Sequence, residues 1–323
     1  MAKIGAALLA LAVAVAAAPS FADPPALRVG LPRSPDAAGA IAARDAGYFR
    51  RHEVGAVLKF FDDPAALAAG KEIDVGVAPF SPELLKAAAK GAILFVAGAA
   101  REAKGQPGLA LLAANNSDLA KPKDVAGHTL ALSGWPAEFA LSLLAEKYAL
   151  DAKALKVTAL ATPAEAASAL KDGKAEAALL PASLAKPLAD AGDAKLLGWA
   201  GSETPFPLGA VFVTAEANRR RDDVARFLAA YREGVRAYDD KVWNAAKQGS
   251  AAIDGHAKPL MDALERALKQ KPEEFVPRLV YLDRDAMLDG AAFAKLVAWM
   301  QARKMIDGGD AAKMVDPGYG FVR

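Results

Sequence analysis

With 323 residues, 54% of them hydrophobic, the chain is long enough to bury two cores, and 40 basic against 38 acidic side chains leave no electrostatic footprint for nucleic acid or an anionic membrane. It has no cysteine, which excludes thiolate catalysis, disulfide staples, zinc–thiolate sites and a lipid anchor on an amino-terminal cysteine. His52, His128 and His256 are far apart and none stands at ligand spacing from a second histidine, so no metal and no other cofactor is expected.

Lys3 followed by the Ala/Leu/Val run Ile4 to Ala18, with Pro19 ending it and small residues around Ser20-Phe21-Ala22, reads as a secretory signal peptide cut after Ala22. The apolar run is about 15 residues, against the roughly 20 that cross a bilayer. Beyond it, short apolar strands alternate with amphipathic helices, the pattern of α/β lobes with largely parallel sheets. The pattern predicts strands over Leu27 to Gly30, Val57 to Phe61, Ile73 to Val77 and Ile93 to Ala97. Asp36 caps a helix through Ala43 that ends near Gly47, and further helices are predicted over Pro64 to Ala69 and Pro82 to Lys90.

A second series opens after Gln106-Pro107-Gly108. Strands are predicted over Leu109 to Ala113, Thr129 to Leu132, Lys156 to Leu160, Ala177 to Leu180 and Lys195 to Trp199, with helices over Glu138 to Tyr148, Pro163 to Asp172 and Ser183 to Ala191. Leu208 to Thr214 is again strand-like, and wholly helical sequence follows to the end. There Arg219-Arg220-Arg221, followed at once by Asp222-Asp223, reads as a solvated helix start rather than a phosphate patch. Val224, Phe227, Leu228, Tyr231 and Val235 keep helical spacing and need a sheet to pack on. The first lobe is the economical place for them, so the chain is expected to cross between lobes near residues 104 to 112 and again near 205 to 213, making a two-stranded hinge. The expected division is 1–22 signal peptide, 23–108 with 209–323 as one lobe, and 109–208 as the other.

Leu27-Arg28-Val29-Gly30-Leu31-Pro32, leading through Asp36 to Ala46-Gly47-Tyr48-Phe49, resembles the opening of the periplasmic binding proteins for sulfonates, nitrate, taurine and thiamine pyrimidine precursors. Ile73-Asp74-Val75-Gly76-Val77-Ala78, Asp124-Val125-Ala126-Gly127-His128-Thr129-Leu130-Ala131, Leu170-Lys171-Asp172-Gly173-Lys174-Ala175-Glu176-Ala177 and the closing Val315-Asp316-Pro317-Gly318-Tyr319 are similar to further signatures of that family, in the same order over almost the whole mature chain. The resemblance implies a type II periplasmic binding protein: two α/β lobes with a two-stranded hinge and a ligand cleft between them. It also implies a periplasmic, monomeric component of an ABC importer that hands a small-molecule ligand to a permease and is not an enzyme. In open α/β sheets the loops beyond the strand ends form a crevice, and helix amino termini there present unpaired N–H groups. A ligand touching both lobes stabilises the closed form by its differential affinity for it.

Residue types at the predicted strand ends supply the candidate contacts. Arg33 and Ser34 lie in the loop after the first strand, and Arg33 either pairs a carboxylate or sulfonate with its fork or lies on the surface. Asp36 reads first as an N-cap and second as a ligand contact. The turn Pro79-Phe80-Ser81-Pro82, which resembling proteins use for ligand contact, offers Phe80 for stacking and Ser81 as a hydroxyl donor or helix cap. In the second lobe Ser133, Gly134, Trp135 and Glu138 occupy a turn where relatives that bind small oxyanions carry Gly, Ser and Thr. That departure argues against nitrate-like ligands and small sulfonates. Glu138 either stabilises its helix start or meets a ring N–H or a cation. Ser183 and Phe206 are rim candidates. Phe80, Trp135 and Phe206 together suggest an aromatic-lined slot for a planar heterocycle or an organic acid. Two other readings share the fold: a ligand sensor for a membrane receptor, and a biosynthetic enzyme.

Overall fold

The computed structural model describes residues 25–249, 252–253 and 255–323, so the predicted signal peptide lies outside the described residues. Among the described residues twelve strands follow in chain order: β1 Leu27–Pro32, β2 Ala56–Phe61, β3 Val75–Pro79, β4 Ile93–Gly98, β5 Arg101–Glu102, β6 Leu109–Ala114, β7 Thr129–Leu132, β8 Lys156–Ala159, β9 Ala177–Pro181, β10 Ala194–Trp199, β11 Phe206–Pro207 and β12 Gly209–Thr214. They make two five-stranded sheets, ordered β2-β1-β3-β12-β4 and β10-β6-β9-β7-β8, and one two-stranded ribbon, β11-β5.

Each large sheet is parallel except for one strand. In the first the exception is β12, antiparallel to β3 and β4; in the second it is β6, antiparallel to β9 and β10. These two strands follow the crossings between the sheets. The crossings themselves pair through β5 and β11, with Phe206 opposite Glu102 and Pro207 opposite Arg101. Two α/β lobes joined by a two-stranded hinge therefore follow from the strand order, the arrangement of a type II periplasmic binding protein.

Period-two alternation of side chains explains the layering. On β1, Leu27, Val29 and Leu31 face one apolar cluster, which they share with Val75, Val77, Val211 and Val213 and with the helix Arg221–Tyr238. Ala78, Ala210 and Phe212 face a second cluster on the other side of the same sheet. That second cluster also takes Leu111, Leu130 and Leu179 from the second sheet, whose opposite face, with Leu112 and Leu180, packs a third cluster under the helices Pro163–Lys171 and Ala182–Asp190. Val224, Phe227, Leu228, Tyr231 and Val235 are fully buried against the first lobe, as their spacing requires.

The carboxyl-terminal region corrects one expectation. Beside the helices Arg221–Tyr238, Lys258–Leu268 and Gly290–Ala302, it contributes extended segments that bridge Ala100 to Leu282, Phe95 to Val315 and Leu288 to Val322. Phe95 N–H donates to Met314 O, and Asp316 N–H donates to Phe95 O, so the closing segment satisfies the outer edge of β4.

Candidate functional site

The carboxyl ends of β1, β3, β7, β8 and β9 point toward one interlobe cleft of about 580 Å3, lined mostly by apolar atoms. Lobe-one residues Asp36, Pro79, Phe80 and Ala100 meet lobe-two residues Trp135, Thr162, Pro181 and Ser183 across it. The hinge supplies Arg101, Glu102 and Gln106 to its wall, and the segment from Pro277 to Tyr281 supplies the rest. This volume lies in the range of small-molecule sites, and an inorganic anion would fill only a small part of it. A depression of about 710 Å3 on the outer face of the first lobe, lined by Asp45, Lys241, Lys258, Asp262 and Arg266, is faced by no strand end.

The cleft wall takes four of the eleven sequence candidates. Asp36 lies on the short turn Pro35–Ala37 and caps nothing; it accepts from Ser34 Oγ at 2.7 Å, and burial raises its carboxyl pKa above the ordinary value. Ser34 thus serves Asp36 and stays out of the wall. Phe80 borders the cleft, but its ring is only 2% exposed and locked against Phe95 and Phe293 at centroid distances of 5.2 and 5.3 Å, so it offers no stacking face. Trp135 is half-buried in the wall at the start of the helix Gly134–Tyr148. Ser183 lies in the first turn of the helix Ala182–Asp190, and its hydroxyl has no partner among the described residues.

The others have work elsewhere. Arg33 donates from Nε to Asp62 Oδ1 at 2.6 Å and from Nη1 to Ala267 O at 3.0 Å, and lies over the Phe60 ring. Ser81 caps its helix, accepting from Leu84 N–H at 3.2 Å. Ser133 precedes the helix without a side-chain cap bond, and Gly134 adopts φ +76°, a left-handed conformation suited to glycine. Because that helix starts at Gly134 rather than Glu138, Glu138 projects a full turn in and pairs with Arg303 at 2.7 Å. Phe206 is 1% exposed and packs edge-on against Phe139. The three-ring slot expected from sequence is therefore reduced to Trp135, with Tyr281 entering from a segment that the sequence pattern placed in helix.

The hinge carries the polar groups that sequence reasoning passed over. Arg101 Nη1 donates to Asp283 Oδ2 at 2.9 Å, the two side chains being 17% and 13% exposed; Arg101 Nε is sealed from solvent without a partner. Glu102 is 3% exposed. Its Oε1 accepts from Leu109 N–H at 2.9 Å, while Oε2 is buried without a partner and Gly201 N–H approaches without reaching bonding geometry. Burial raises its pKa from 4.5 to about 7, and the Leu109 and Gly201 amides offset only part of that. Trp243 Nε1 donates to Gln106 Oε1 at 2.7 Å, tying the hinge loop to the first lobe. Two adjacent charged residues, Arg101-Glu102, between the predicted strand Ile93 to Ala97 and the crossing expected from residue 104, are the signal that could have found them.

Solved structures with the same fold include a putative sulfonate ABC transporter periplasmic binding protein, SsuA, from Methylobacillus flagellatus KT (18% identity, 92% of this chain and 93% of that one, TM-score 0.65). The periplasmic aliphatic sulphonate binding protein SsuA from Escherichia coli matches at 15% identity over 92% and 99% of the two chains, also with TM-score 0.65. The desulfurization enzyme DszB matches at 13% identity over 90% and 97%, with TM-score 0.56, so the fold hosts both binding and catalysis. No curated protein matches the chain in sequence. The NMT1/THI5-like family model matches residues 34–240, a span that takes in four of the five strands of the first sheet, all of the second, the hinge and the helix Arg221–Tyr238, and the chain belongs to that family.

Proposed function

We propose that the mature chain is the solute-binding component of an ABC importer, acting as a monomer in the periplasm after loss of residues 1–22. The lobes divide as 23–108 with 209–323 and 109–208, and they close on a small organic molecule that is then delivered to the permease. The observation that carries this reading is the interlobe cleft itself: strand ends of two separate sheets face each other across it, and the chain crosses between the sheets through a two-stranded ribbon. A guest held between such surfaces stabilises the closed arrangement by its differential affinity. Of the sequence candidates, Asp36, Trp135 and Ser183 are the proposed contacts, with Phe80 forming an apolar boundary. The half-buried indole and the apolar lining favour an organic body over an inorganic anion.

A thermal-shift screen of metabolites on the mature chain tests this, followed by X-ray scattering of each hit. A true solute present at about 100 times its Kd stabilises by about 2.7 kcal/mol, which moves Tm by several degrees, and the radius of gyration falls as the lobes close. Stabilisation without compaction, or turnover of the hit, would contradict the importer reading.

A further inference from the structure

Among the described residues the cleft wall holds four acidic or basic side chains, Asp36, Arg101, Glu102 and Arg278, and each is answered within the protein. Arg101 Nη1 donates to Asp283 Oδ2 at 2.9 Å, so its charge is balanced beside it, and its Nε is closed to solvent. Glu102 is buried, with Oε1 accepting from Leu109 N–H at 2.9 Å and Oε2 closed to solvent. Arg278 is exposed and donates from Nε to Glu274 O at 2.9 Å and from Nη2 to Gln270 Oε1 at 2.6 Å. Asp36 accepts from Ser34 Oγ at 2.7 Å, and its neighbours Pro35, Ala37 and Ala38 are buried, a setting that disfavours its charge.

A charged group carried into this cleft gives up water and meets no buried side chain of opposite charge left over for it. The one base without a carboxylate partner, Arg278, is exposed, where water and salt screen it. An ion buried without a partner is strongly disfavoured, whereas an apolar body gains by leaving water. The helix starts in the wall are weakened as anion sites, because Ala182 N–H is taken by Gly108 O at 2.7 Å and Pro136 has no N–H. The polar groups that remain are uncharged donors. Trp243 Nε1 can only donate, and by donating to Gln106 Oε1 at 2.7 Å it leaves the Gln106 amide NH2 without a partner among the described residues. The Ser183 hydroxyl is likewise unpartnered there, and Thr162 Oγ1, which accepts from Glu165 N–H at 3.2 Å, keeps its own proton to give.

We infer that the solute is an uncharged organic molecule, with an apolar or aromatic body against Trp135 and Tyr281 and with hydrogen-bond acceptors for the neutral donors of the wall. Both rings are half-buried in the wall and come from different parts of the fold. Trp135 opens a helix of the second lobe, whereas Tyr281 belongs to the carboxyl-terminal segment, where its ring meets Trp243 at 6.1 Å and its carbonyl accepts from Arg101 N–H at 3.1 Å. A body touching both rings therefore spans the lobes. This inference deepens the reading of the cleft as a solute site and rests on it.

The test uses pairs of similar shape and different charge: benzamide with benzoate, cyclohexanecarboxamide with cyclohexanecarboxylate, indole-3-acetamide with indole-3-acetate, and benzyl alcohol with benzylamine. They are titrated calorimetrically into the mature chain at about pH 7.5, where the acids and the amine are ionised. In every pair that binds, the uncharged member is expected to bind at least about tenfold more tightly than its charged partner. Asp283→Asn keeps an oxygen for the amides of Asp285 and Met287, which Asp283 Oδ1 accepts at 3.1 and 2.9 Å, and removes the charge that balances Arg101. In that variant the preference is expected to move toward the acids by about tenfold or more, with no gain for benzylamine. If the variant fails to fold, the wild type is titrated at about 50 and 500 mM salt, and the affinity of the uncharged member is expected to stay constant. A charged member that binds as tightly as its partner, no response to any uncharged member, an acid ratio unmoved in folded Asp283→Asn, or an uncharged member whose binding falls with salt would each overturn the proposal. A charged hit from the metabolite screen that compacts the protein would remove only the ligand class and leave the solute-binding reading standing.

Discussion

Glu102 occupies the first crossing between the lobes, and its titration is measurable without knowing the solute. Its native pKa of about 7 lies above the ordinary 4.5, so between those values the native state holds a proton that the unfolded chain has released. Stability from this group is greatest below about pH 4.5, declines as pH rises through the window, and is constant above about pH 7. At 1.36 kcal/mol per unit the decline is about 3 kcal/mol, and with the side chain 3% exposed no large screening discount applies. Glu102→Gln keeps the acceptor for Leu109 N–H and removes the proton. Urea unfolding at pH 5 and pH 8 is expected to show the variant gaining about 2–3 kcal/mol on the wild type between the two, whereas a pH-independent difference would mean that Glu102 does not titrate there. Residue roles of this kind were only partly legible in sequence. Arg33 and Arg101 both stand near strand ends, and what separates them is a partner far along the chain: Asp62 and Ala267 O hold the first away from the cleft, while Asp283 holds the second in the cleft wall.

Elements were easier to read than residues, because strands buried on both faces and helices buried on one carry their period in the sequence. Ser81 before Pro82 and Thr162 before Pro163 mark helix starts by side chains that accept the amides of Leu84 and Glu165. The sequence pattern started the next helix at Glu138, past Pro136, yet a proline fits anywhere in a first turn whose N–H groups have no intrahelical partner, and the helix begins at Gly134. Close packing of helices is less legible. Helix Ala38–Asp45 crosses helix Arg221–Tyr238 where Gly39 and Gly234 let the backbones touch: a Cβ on Gly234 would overlap Gly39 O and lie 2.6 Å from Ala43 N. Gly→Ala inside an exposed helix normally gains about 1 kcal/mol. Here the obstruction is backbone that cannot rotate aside, and overpacking costs about 1–3 kcal/mol or more. Gly234→Ala is therefore expected to lower unfolding free energy by about 2 kcal/mol with an unchanged denaturant slope, and a stabilised variant would mean that the helices separate freely.

For the whole molecule, the strand order poses a question of cooperativity. The first sheet cannot exist without the return of the chain, because β12 is inserted between β3 and β4. The second sheet is drawn from one continuous stretch, which by itself suggests a unit able to unfold alone. The apolar cluster between the sheets argues the other way. It joins Phe95, Phe293 and Leu296 of the first lobe to Phe139, Leu179 and Phe206 of the second, and the Phe139 ring meets Trp299 at 5.3 Å across the lobe boundary. Burying a large apolar side chain is worth about 1.5–3 kcal/mol, so unfolding the second lobe alone would forfeit several such terms from residues that remain folded. The lobes are therefore expected to melt together, giving one calorimetric transition whose enthalpy equals the van't Hoff value. Trp299→Ala, which removes the ring shared between the lobes, is expected to lower that transition and broaden or split it, because it weakens the link more than either sheet. Two resolved transitions in the wild type, with a bound solute shifting only one, would show that the hinge and cleft walls transmit less than the shared cluster implies, and that closure involves two nearly independent bodies.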